Sequence, residues 1–161
     1  MNWLKTILTA GAFALVMTLP GAAQAPAGYG TPMNLEQAKK AMAAAEAEAA
    51  KNNLSMVIAI VDSSGHLLTL HRMDNSSYGS IRVAIGKAET ALDFRQSTKI
   101  LDDRLASGGS ALRLLTLGNA TLIEGGLPII VGGRIVGAIG VSGAAAAQDG
   151  QVAKAGVDAV Q

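Results

Sequence analysis

Hydrophobic and polar positions follow two rhythms along this chain. One has the three-four spacing of helices, and the other is the dense or alternating pattern of strands. Leu127 to Gly143 reads as two β-branched apolar runs flanking Gly132-Gly133. A Gly-Gly pair between such runs predicts a two-residue hairpin, because both turn positions can take positive φ. Met56 to Val61 is a continuous apolar run and predicts a central strand. Asp62-Ser63-Ser64-Gly65 supplies turn chemistry, and His66 to Met73 completes an earlier hairpin. Strict alternation there would put His66, Leu68, Leu70 and Arg72 on one face, and Leu67, Thr69, His71 and Met73 on the other.

Helical spacing appears in three places. Leu35 to Lys51 carries a stripe of Leu35, Ala38, Met42, Ala45 and Ala49 behind Asn34, a good N-cap. Ile81 to Phe94 carries Ile81, Ala84, Ile85, Ala88 and Leu92, with Ser80 as the expected cap and Lys87 at the border of the stripe. A last helix, with its start expected near Gln148-Asp149, presents Val152, Ala155, Gly156, Ala159 and Val160. A short helix from Thr98 to Leu105 is expected between the hairpins, with Thr98 as cap, and Thr121-Leu122-Ile123 reads as a short edge strand. Ala111 to Leu117 suits either a helix or a strand. The order helix, hairpin, helices, hairpin, helix predicts an α/β domain of the α+β kind, with a central antiparallel sheet of about five strands and flanking helices. Gly137 and Gly140 interrupt the last strand and need a reason, either a helix packed on them or close approach to a ligand.

The N-terminal pattern is different. Lys5, an apolar run from Thr6 to Leu19, Pro20 and Ala23-Gln24-Ala25 have the layout of a secretory signal, with cleavage expected near Ala25. The run is shorter than the roughly 20 apolar residues of a membrane span. Residues 1–25 are therefore expected to be a signal peptide, 26–33 a flexible lead-in and 34–161 one domain, periplasmic or secreted, with no membrane span in the mature protein. The chain has no cysteine, which excludes disulfides and thiolate metal sites. Its 13 basic and 12 acidic residues nearly balance, and aromatics make up 3% of it. Neither the basic footprint nor the stacking surface that nucleic-acid binding needs is present. No Gly-x-Ser-x-Gly elbow surrounds Ser142, and no lysine follows the Gly108-Gly109 joint as a phosphate loop requires.

The stretch HRMDNSSYGSIRVAIGKAETAL (His71 to Leu92) resembles the strand–loop–helix core of the haem-degrading domain family, which includes GlcG-like and HbpS-like proteins and the C-terminal domain of PduO-type proteins. GGLPIIVGGRIVGAIGVSG followed by QDGQVAKAGVDAV is the family's other marker. The resemblance runs from Asn34 to Val160. It implies a profilin-like arrangement, assembly into dimers or larger homo-oligomers, and haem as cofactor. The family commonly has Asp-Gly where this chain has Asp74-Asn75, and Asn is the next-best residue for positive φ.

Under that resemblance His71 is the first choice for a haem-iron ligand, with Met73 and Tyr78 as further ligating types near it. Arg72 and Arg82 flank the same loop and suit a propionate or another carboxylate. His66, at the hairpin tip, is a secondary candidate. The plainer reading has His71 as a strand histidine bonded to its neighbours and the arginines as surface ion-pair donors. Three functions are compatible with the pattern: an exported haem-binding protein with weak oxidative haem breakdown, a binding module for a small organic acid, and an oligomeric structural domain.

Overall fold

The computed structural model describes residues 25–161. The expected signal peptide lies outside the described residues except for Ala25. Helix α1 (Leu35–Lys51) opens with a full capping box: Asn34 accepts from the Gln37 N–H at 2.9 Å, and the Gln37 side chain accepts from the Asn34 N–H at 3.0 Å. Strands β1 (Val57–Asp62) and β2 (Leu67–Arg72) form the first hairpin. Helices α2 (Gly79–Asp93) and α3 (Thr98–Ala106) follow, then a 3-10 segment over Gly109–Thr116. Strands β3 (Gly126–Val131) and β4 (Arg134–Ser142) form the second hairpin, and α4 (Ala146–Asp158) ends the fold. At its turn, Gly132 and Gly133 take φ of 57° and 75°, as expected.

The sheet is antiparallel, in the order β2-β1-β4-β3, so it has four strands where about five were expected. The missing one is Thr121–Ile123. Its flanking backbone donors go to side chains: Thr121 N–H to the Thr90 hydroxyl at 2.8 Å and Glu124 N–H to Asp102 at 3.0 Å. With those donors satisfied by helices α2 and α3, the segment does not pair with a strand. Residues 26–33, expected as a flexible lead-in, run beside β4. Gly30 N–H donates to Ile135 and Met33 N–H to Val136, while Ile135 N–H donates to Gly28.

Helices α1 and α4 cover one face of the sheet, over Ile58, Ile60, Ile129, Ile139 and Val141. Helix α2 covers the other, over Val57, Ala59, Val61 and Ala138. The puzzle of the glycines in β4 is answered by packing. A Cβ on Gly140 would collide with the Ala84 carbonyl and the Ala88 backbone nitrogen of α2, and one on Gly137 would meet Met33 and the Val61 carbonyl. Both places are filled by the protein itself.

Three local expectations shift. Helix α2 starts before Ser80, whose hydroxyl pairs with Ser77 at 2.9 Å within the first turn. Ser97, not Thr98, caps α3, because the Thr98 hydroxyl is turned inward to accept from the Gly126 N–H at 2.9 Å. Helix α4 begins at Ala146, ahead of Gln148-Asp149.

Candidate functional site

Strand β2 is an edge strand, so side chains near its end are reachable from solvent on both faces. His71 pairs with Ile58 across the hairpin and therefore points to the α1 side of the sheet. There its Nδ1 lies 2.8 Å from a Glu46 carboxylate oxygen. The His71 side chain is 50% exposed, and Nε2 has no partner among the described residues. When the carboxylate takes the Nδ1 proton in a hydrogen bond, the Nε2 lone pair is left facing outward, which is the arrangement of an orienting acid behind a metal-ligating imidazole. Glu46 was not among the expected site residues. It borders the apolar stripe of α1, one turn beyond Met42, and nothing in its spacing reveals that α1 would cross β2 at His71. Two residues on, Glu48 turns to α4 instead. Its hydrogen bonds from Gln151 (2.6 Å) and then Asn52 hold its carboxyl below the ordinary value.

The other candidates divide between the two faces. Met73 is half-buried and packs into the core beneath α1 and α4, on the His71 side. Arg72 pairs with Val57 and points to the α2 side, where its guanidinium lies over the Tyr78 ring at 5.1 Å. Tyr78 is 80% exposed, and Arg82 is exposed one turn further along α2. The structure thus joins Arg72 to Tyr78 and His71 to Glu46. His66 sits exposed at the hairpin tip, its Nδ1 3.9 Å from Asp62. Asp62 is already occupied in that turn, accepting from the N–H groups of Ser64 and His66. A bulge between Ile60 and Val61 also breaks the expected alternation. It turns Leu68 toward the α1 core, on the same side as His71, while Leu70 stays on the α2 side. Among the described residues no three His, Asp or Glu side chains cluster as a metal site.

Sequence reading also missed a buried ion pair. Lys87, expected at the border of the α2 stripe, is 1% exposed. Its Nζ donates to Asp149 of α4 at 2.7 Å and to the Val141 carbonyl at 3.0 Å. The other Asp149 oxygen accepts from the Ala144 N–H at 3.1 Å. The pair is 62 residues apart in sequence and joins α2, β4 and α4. Both side chains are almost wholly buried and bridge α2, β4 and α4, which makes the pair part of the framework.

Comparison with known proteins agrees with this architecture. The chain is 42% identical to GlcG of Escherichia coli over 110 residues, covering 68% of this chain and 81% of that protein. A double-mutant form of HbpS from Streptomyces reticuli superposes with a TM-score of 0.75 at 33% identity, over 89% of this chain and 98% of that one. A PduOC:haem complex superposes with a TM-score of 0.74 at 25% identity, over 81% of this chain and 96% of the other. The sequence model of the family described as "Haem degrading protein HbpS-like" matches residues 33–158. With the strand–loop–helix core and the glycine hairpin both in place, the chain belongs to the HbpS-like family.

Proposed function

We propose that this protein binds haem at the β2 edge, where His71 would hold the iron and Glu46 would hold the imidazole. The observation that carries the reading is the Glu46–His71 contact at 2.8 Å, which engages Nδ1 and leaves Nε2 for iron. Membership of a family described as haem degrading, and likeness to a chain solved as a haem complex, support the choice of ligand. Bound haem supplies the iron and its oxygen chemistry, and the protein supplies orientation and electrostatics. His71 offers the nitrogen and Glu46 fixes the ring plane and raises its basicity. The partly buried Leu68 and Met73 offer an apolar flank on the same side of the strand.

The same proposal has the protein exported, with cleavage near Ala25, working as a homo-oligomer and supporting slow oxidative haem breakdown. The pattern from Lys5 to Ala25 supports export, and the family description supports breakdown. The organic-acid reading loses one of its supports, because the glycines of β4 are filled by α2, Met33 and β1.

The test is a visible-spectrum haem titration of residues 26–161, which carry every described element, beside His71→Ala. Wild type gives a saturable, sharp ligated-haem band, and the variant loses it. A broad, non-saturating wild-type signal would sink the haem reading. Equal sharp bands from both proteins would keep haem and remove His71 as its ligand.

A further inference from the structure

Two arginines on the α2 side of the sheet have no acid to neutralise them. Arg72 ends β2, Arg82 lies early in α2, and both are exposed. Neither makes an ion pair among the described residues. Asp74, the acid nearest to Arg72 in sequence, is exposed on the loop between them and pairs with neither. Glu89 stands about two turns beyond Arg82 on α2. His71 points to the opposite side of the strand, so the haem reading leaves these arginines without a role.

The loop that sets them together is fixed by its own hydrogen bonds. The Met73 carbonyl accepts from the Ser76 N–H at 3.2 Å and from the Ser76 hydroxyl at 2.7 Å, and Asn75 takes a φ of 64° to close the turn. Tyr78 already has helical backbone, so its side chain and that of Arg82, four residues on, stand on one face of α2. The Arg72 guanidinium lies over the Tyr78 ring at 5.1 Å, which brings both cations to the same ring. A stacked guanidinium keeps its N–H edge free, and that edge matches the two oxygens of a carboxylate. Stacking also restricts Arg72 before any ligand arrives, so less freedom is lost on binding. The Tyr78 hydroxyl, on a side chain that is 80% exposed, adds a further donor. Two guanidiniums, each suited to one carboxylate and neither paired within the chain, fit a small molecule that carries two.

We infer that Arg72, Tyr78 and Arg82 form a binding site for a small dicarboxylate, Arg72 gripping one carboxylate through its N–H edge and Arg82 holding the other. The site goes beyond the haem reading and is independent of it: a protein that never shows a ligated-haem band still binds the dicarboxylate.

Isothermal titration calorimetry of residues 26–161 with succinate tests it, with acetate, sulfate and dimethyl succinate as controls. Wild type binds succinate saturably, more tightly than acetate or sulfate, and does not bind the diester. Arg72→Gln and Arg82→Gln each weaken succinate binding roughly ten-fold, as expected for loss of one charge-assisted contact. Arg72→Lys keeps the charge without the planar fork and weakens binding too. Far-UV circular dichroism checks folding, and if Arg72→Gln unfolds, Arg82→Gln decides. Wild type without saturable succinate binding overturns the site. Equal binding by wild type and both glutamine variants overturns its assignment to these arginines. Acetate or sulfate binding as tightly as succinate overturns the two-carboxylate ligand. Haem and its dimethyl ester form a separate arm. A wild-type preference for haem over the ester that both glutamine variants lose, with no succinate binding, overturns the free dicarboxylate and gives the arginines to the haem propionates.

Discussion

A histidine on an edge strand serves an incoming metal only if its ring is held, because a free imidazole spends its rotamer freedom on binding. At His71 the holding group is Glu46, which comes from a different element and has no local sequence signal of that role. That gives a prediction at the scale of one atom. Glu46→Gln keeps the size of the side chain and removes its charge. Haem affinity should then fall roughly ten-fold, toward the lower end of what loss of an orienting partner costs. The reduction potential of the bound iron should rise, since a less basic imidazole stabilises the oxidised metal less. Spectroelectrochemistry of the wild type and Glu46→Gln checks both. An unchanged potential would leave Glu46 as a structural neighbour only. The residue scale also separates the expected cluster. Arg72 and Tyr78 stack on the α2 side, while His71 and Met73 lie on the α1 side. Alternation of a strand predicts that split, and only the bulge at Leu68 departs from it.

Among elements, α2 lies in close backbone contact with the second hairpin. Gly140 is required because the Ala84 carbonyl and Ala88 nitrogen occupy the place of its side chain. Gly140→Ala should therefore cost at least about 2 kcal/mol, in the range of overpacking a filled core. Urea unfolding followed by circular dichroism measures it. A change below about 0.5 kcal/mol would mean that α2 can move away, and that the glycine has some other reason. The two glycines were legible as a question in the sequence. The answer was not, because it depends on which helix lies over which strand. Helix ends were read to within one or two residues, and at α3 the slip came because the expected capping side chain had been claimed by a tertiary partner. Thr98 is the example: a good cap by type, it accepts from Gly126 instead.

At the level of the whole molecule, one buried charge pair ties the second hairpin to helices on both faces of the sheet. Lys87 reaches Asp149 and the Val141 carbonyl. Burying two charges is costly, so the pair is no argument for high stability. Removing one partner, however, leaves the other charged and unsatisfied. Lys87→Met should destabilise the domain by about 3 kcal/mol, and adding Asp149→Leu should recover part of that. Chemical denaturation of the two variants checks it. A single variant within 0.5 kcal/mol of wild type, as at ordinary surface positions, would mean that water already reaches the pair.

The sequence alone determined the order of elements, the Gly-Gly hairpin, the cap at Asn34, the strand of His71 and the family, because each of these rests on local patterns or a contiguous motif. Tertiary structure decided the number of strands, the employment of the β4 glycines, the Glu46 partner of His71 and the burial of Lys87. Each of these depends on two segments meeting. The partners stand 25 residues apart for Glu46 and His71 and 62 apart for Lys87 and Asp149, and no local spacing records which distant side chain a residue will face.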